Sequence, residues 1–102
     1  MSEKILEVTG KMILRGNILK ICEIAQPLGA AQEVIIGAMR KEGYSCSAED
    51  VRNACEYLQG KGLIMLEEIH NDVLQIHRTL AKITPNGIDV LDGIVLADGI
   101  QL

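Results

Sequence analysis

At Gly60-Lys61-Gly62 the hydrophobic period of the chain changes from that of a helix to that of a strand, and this change excludes an all-helical fold. Before it, Val51, Ala54, Cys55 and Leu58 recur at i, i+3, i+4 and i+7, which places them on one face of a helix over 48–61. The opposite stripe is Glu49, Arg52, Asn53 and Glu56. Ser47 is placed to cap that helix, with Glu49 and Asp50 in the first turn, where the positive end of the helix favours acid. After the change, 63–70 and 73–83 are rich in β-formers and flank Asn71-Asp72, a two-residue loop that tolerates positive φ. Such a loop pairs Ile69 with Leu74, Glu67 with Ile76 and Met65 with Arg78. That face is mostly apolar, while Glu68, His70, Gln75 and His77 make the other mostly polar, as a hairpin lying on a helical core requires. Both strands are expected to be edge strands.

Two helices are predicted upstream. Over 12–26, Leu14, Ile18, Ile21, Cys22 and Ala25 share a face, and Ile13 and Ile24 add apolar surface outside it. A helix apolar on more than one side is buried on more than one side. Gly16-Asn17 marks a candidate break, and 3–10 a preceding turn or separate short helix anchored by Ile5, Leu6 and Val8. Pro27 ends this helix. Over 31–42, Ala31, Val34, Ile35, Ala38 and Met39 form an inner stripe, and Gly43 suits a left-handed terminator. Downstream of the hairpin, Thr84-Pro85 reads as an N-cap followed by proline at the first helical position, and a short helix then stops near Gly93. The order helix, helix, turn, helix, hairpin, short helix is that of a winged helix-turn-helix. The expected class is mainly α with a β-hairpin (α+β), a three-helix core with a two-stranded wing. One domain spans 1–102, with an N-terminal extension at 1–10, the wing at 63–84 and an apolar tail at 94–102.

Composition agrees. A chain of 102 residues is long enough for one core. Apolar residues make up 48% of it and, with no Phe or Trp, that core is aliphatic. Cys22, Cys46 and Cys55 are odd in number and form no CxxC pair, which points to a reducing compartment rather than disulfides. The N-terminus has acidic residues and no apolar signal region, and no apolar run approaches the ~20 residues that span a bilayer. A cytoplasmic protein without membrane contact is expected. Net charge is −4, with no basic tract of the kind that marks non-specific nucleic-acid binders.

The stretch VRNACEYLQGKGLI, a hairpin, and then ITPNGIDVLDG resemble the end of the winged helix in MarR-type and ArsR-type bacterial regulators. In those a Gly-Leu-Ile-like step enters the wing and a Leu-Thr-x-x-Gly-like step leaves it. Here the steps are Gly62-Leu63-Ile64 and Ile83-Thr84-Pro85-Asn86-Gly87. The clustered cysteines of the ArsR metal motif are absent. ILRGNILKICEIA, SCSAEDVRNACEYLQGKGLI and ITPNGIDVLDGIVLADGI further resemble a family of small winged-helix proteins of Mu-like bacteriophages and prophages. That resemblance implies a phage or prophage product in a bacterial host. It carries no residue-level activity.

No Ser/His/Asp grouping, phosphate loop or carboxylate pair is present, so no catalytic residue, cofactor, metal site or small-molecule ligand is expected. His70 and His77 share a face of the wing without being directly paired in the expected register. Glu67 and Glu68 point to opposite faces, so at most one of them can join a histidine. Two functions fit the fold. As a double-stranded DNA binder, sequence-specific if it binds at all, the chain has Arg52 to match guanine and Asn53 to match adenine. Gln59 and Lys61 are placed for phosphates, and Ser47 and Asn71 lie at the start of the third helix and the wing tip. Against this, residues 45–62 carry a formal charge of −1, and the tip His70-Asn71-Asp72 has no Lys or Arg. As an interaction module, the chain pairs with a phage protein or with itself. A homodimer is expected through Ile5, Leu6, Ile13, Ile94 and Leu96, where apolar surface exceeds what one core needs.

Overall fold

The computed structural model describes the backbone of residues 3–102 and the side chains from Glu7 onward. Its elements are α1 (Glu3–Ile24), β1 (Ala30–Ala31), α2 (Gln32–Lys41), α3 (Ala48–Gly60), β2 (Ile64–Asn71), β3 (Ile76–Ile83) and α4 (Pro85–Leu91). This is a winged helix-turn-helix, α+β as expected. No described helix is long and apolar enough to cross a membrane.

The third helix forms as its pattern demands. Ser47 Oγ accepts a hydrogen bond from the Asp50 N–H at 3.1 Å, and the Ser47 N–H donates to the Asp50 carboxylate at 3.0 Å. This reciprocal box satisfies two backbone donors that the helix start leaves open. Val51, Ala54, Cys55 and Leu58 are all buried. α4 also starts as read, with Thr84 Oγ1 accepting from the Gly87 N–H and Pro85 in the first turn. Gly43 closes α2 at φ 89°.

The first helix differs from its reading. α1 is one continuous helix of 22 residues, with no break at Gly16-Asn17 and no separate 3–10 element. Gly16 is there because the tail packs against it: a Cβ at this position would run into the Gln101 carbonyl. Leu19, outside the expected stripe, is fully buried beside Leu14, Ile18 and Cys22. Val34, assigned to the inner stripe of α2, is 53% exposed, and Ile36 packs on the core instead.

The sheet has three strands in the order β1-β3-β2, all antiparallel, so β3 is central rather than an edge. The short β1, which the two-stranded reading lacked, pairs Ala30 with Ala81 and Ala31 with Leu80. In the hairpin, Ile69 pairs with Arg78, Glu67 with Leu80 and Met65 with Lys82. The register is therefore shifted by four residues from the expected one. The turn runs through Asp72, Val73, Leu74 and Gln75, with Gln75 at φ 52°, and Asn71 Oδ1 accepts from the Leu74 N–H at 3.0 Å. An even shift keeps each residue on its face. The face turned to the core is nevertheless the opposite one: Ile64 and Ala81 are buried, with Leu66 and Ile83 packed beside them, while Met65 is 65% exposed. Towards the turn the residues of both strands are exposed. Neither face is covered there, so the strand bases alone decide the inner face.

Residues 94–102 fold back over α1 and α3. The Gln101 N–H donates to the Met12 carbonyl at 3.1 Å, and Ala97 and Ile100 pack against the core. All three cysteines are free and buried. Burial, and then the neighbouring Cys55, pushes the Cys22 thiol up to about 12; burial, and then Glu56, pushes Cys55 up to about 11. A raised thiol pKa holds its contribution to stability below the ordinary value of 9.0 and loses it as pH climbs towards those values. Stability measured by denaturant titration should therefore fall above pH 9. A Cys22→Ala, Cys55→Ala chain should lack that part of the fall, and an unchanged alkaline profile in it would refute the assignment.

Candidate nucleic-acid interface

α2 and α3 form the helix-turn-helix, and α3 occupies the position from which such folds read a groove. Ser47, Arg52 and Asn53 lie exposed on its N-terminal half. The Ser47 hydroxyl is engaged as the cap. Among the described residues Arg52 makes no salt bridge and neither Arg52 nor Asn53 makes a side-chain hydrogen bond, so both present free polar groups. Glu49, Asp50 and Glu56 are exposed on the same helix. Asn53 also borders an open cleft of about 390 Å³ between α1 and the start of α3, with Lys11, Tyr44 and Asp50 around it.

The C-terminal end of α3 is occupied differently. Gln59 is exposed. Lys61, expected to face phosphate, donates instead to the Asp98 carbonyl at 3.0 Å, with its ammonium 5.3 Å from the Tyr57 ring centroid. The Tyr57 hydroxyl donates to the same carbonyl at 3.2 Å. The Arg15 guanidinium sits 3.5 Å from the centroid of the same ring and donates to the Gly99 carbonyl at 3.0 Å. Arg15 Nε is buried without a partner among the described residues. This clamp of two cations on one tyrosine, locked by tail carbonyls, escaped the sequence reading because its members lie as many as 84 positions apart. Gly16→Val should dislodge the tail, since the Gln101 carbonyl occupies the space a side chain needs. Limited proteolysis should then cleave 94–102 much faster; unchanged protection would refute the clamp.

On the wing, Asn71 is exposed but its Oδ1 is spent on the turn. The wing cations that the reading passed over are paired: Arg78 donates twice to Glu33 Oε1, at 2.6 and 2.8 Å, and Lys82 pairs with Glu67. The backbone N–H at the start of α2, and then Arg78, hold the Glu33 carboxyl below its ordinary range. His70 and His77, expected to be unpaired, stand directly opposite each other, because the true turn is two residues longer than the one assumed. Of the expected self-association residues, Ile94 is 70% and Leu96 94% exposed, and Ile13 is half-buried. The side chains of Ile5 and Leu6 lie outside the described residues.

No protein-family model matches the chain, and no curated protein matches it. Solved structures do. A PadR-like transcription factor from Bacteroides fragilis superposes with a TM-score of 0.75 at 15% identity, covering 90% of this chain and 85% of that one. Bacillus subtilis PadR, solved in complex with operator DNA, gives 0.65 at 14% identity over 82% of this chain and 48% of its own. MepR, a transcription regulator of the Staphylococcus aureus multidrug efflux pump MepA, gives 0.60 at 22% identity over 78% and 52%. The chain thus spans most of the first and about half of the other two. These likenesses establish the fold.

Proposed function

We propose that this chain is a non-enzymatic, double-stranded DNA-binding protein of the winged-helix regulator type, reading sequence through α3. The observation that carries the reading is the free Arg52-Asn53 pair on a capped α3, in the fold position that meets the major groove. PadR solved with operator DNA supports it as a structural neighbour. The surface adds a qualification about mode. With Lys61 on the tail, Arg78 and Lys82 paired, and acid beside Arg52, few cations of α3 and the wing are free to neutralise phosphate. Binding then depends on base contacts more than on charge, and its salt dependence is shallow.

The DNA-bound form in this reading is a homodimer built on α1 and the tail, since Ile94, Val95 and Leu96 stay exposed after the tail has docked. Light scattering that gives a monomer at tens of micromolar would refute the dimer. Within this proposal the chain is a phage or prophage product acting in the bacterial cytoplasm, in transcription or DNA packaging, a reading that draws on the resemblance of its motifs to Mu-like phage proteins. A second reading, docking of a partner phage protein without DNA, draws on the acid of α3 and the same exposed tail residues. Unbiased selection from random duplex DNA, run at low and moderate salt, separates the two. Enrichment of one motif at both salts supports DNA reading; no enrichment at either supports protein docking.

A further inference from the structure

The chain has two histidines, and the fold brings both to one place. His70 on β2 and His77 on β3 are direct cross-strand partners, with ring centroids 4.6 Å apart and planes at 18°. Both are exposed, and Asp72 Oδ1 lies 3.9 Å from His70 Nε2. Glu68 shares their face, because alternate residues of a strand point the same way.

We propose that this pair is a binding site for a divalent transition-metal ion such as Ni²⁺, Cu²⁺ or Zn²⁺, with His70 and His77 as ligands and Asp72 as the nearest carboxylate donor. Imidazole nitrogen is the donor these ions favour over Mg²⁺ or Ca²⁺. The sheet holds the two rings opposite each other, so chelation needs no backbone rearrangement. The stacked rings have only to turn until one nitrogen of each converges, which exposed side chains at a strand end do by changing rotamer. Among the described residues no three such donors are already gathered, so this is a two-point site whose other positions are filled by water or by Asp72. Such a site exchanges its ion readily, as a sensor would.

The location gives the ion a use. The tip His70-Asn71-Asp72 has no Lys or Arg, and a bound dication would supply the positive charge that the tip of a wing needs to approach phosphate. This consequence rests on the DNA reading; the metal site does not.

The test uses the tag-free chain. NiCl₂ and ZnCl₂ are titrated in by calorimetry, while the histidine ring protons are followed by NMR, where only these two residues contribute. One ion per chain is expected, with Ni²⁺ broadening both sets of ring signals. His70→Asn and His77→Asn should each weaken binding by about tenfold or more. Their circular dichroism should match the parent, since both side chains are exposed. Absence of binding, or binding unchanged in either variant, overturns the site. With the DNA motif from the selection, Ni²⁺ should tighten binding by the parent and not by His77→Asn. Metal binding that leaves DNA affinity unmoved overturns the wing-charge role, and a chain that binds metal but selects no DNA separates failure of the DNA reading from failure of the site.

Discussion

Leu58→Ala is expected to destabilise the fold by about 2–5 kcal/mol, the range for emptying a buried leucine site. Leu58 is fully buried in the cluster that includes Ile18, Ile35, Val51 and Ile64. The core has no Phe or Trp to swing into the void, and its members are held by four helices and the base of the sheet. At about 4–8 °C per kcal/mol for a domain of this size, the thermal midpoint should drop by at least about 8 °C. Val34→Ala is the control. Its side chain is half exposed on α2, and the loss should stay within about 0.5 kcal/mol. Thermal and denaturant melts of both variants check the pair, and equal losses would mean that the core is not where the structure puts it.

Arg52→Ala should have the opposite profile, with an unchanged melt and a large loss of DNA affinity. A guanidinium that donates two hydrogen bonds to guanine is worth about 1–3 kcal/mol of discrimination, or about 5- to 150-fold. Arg52 has no intramolecular partner among the described residues, so its removal disturbs nothing in the fold. The pattern of loss identifies its contact. Relaxed preference at one base position means a base contact, and uniform weakening with a smaller salt slope means a phosphate contact. Fluorescence anisotropy on the selected motif and on single-base variants distinguishes them. Full affinity in Arg52→Ala would remove α3 from the interface.

Much of the scaffold could be read from the sequence because several local signals coincide on it. α3 has a cap, first-turn acid and a four-residue stripe that agree, and α4 has Thr84-Pro85. The hairpin was legible as a hairpin but not in register. Asn71-Asp72 is a strong short-turn signal, yet Asn71 serves the turn as a side-chain acceptor one step earlier, and the loop is longer. Which face of the wing is inner was not legible either, since Met65, Ile69 and Ile76 look as apolar as Ile64, Leu66 and Ile83. Only the packing of the strand bases on the helices separates the two sets. Gly16 reads locally as a helix weak point; its role depends on Gln101, which no periodicity links to it. In the candidate interface, Arg52, Asn53 and Glu56 were legible as exposed because α3 is strictly two-sided. The fate of Lys61 was not, because it turns on a backbone carbonyl of the tail.

The docking of that tail has a kinetic consequence. Arg15 and Gly99 meet across 84 positions, whereas the packing of α2 on α3 and the hairpin close over much shorter loops. Contacts of such separation form late, after the entropy of closing the long loop has been overcome by other packing. Substitutions in the clamp should therefore leave the folding rate nearly constant and act on the escape rate, speeding unfolding. The last residues of the chain would then work as a latch, contributing little to how the protein finds its shape and much to how long it keeps it.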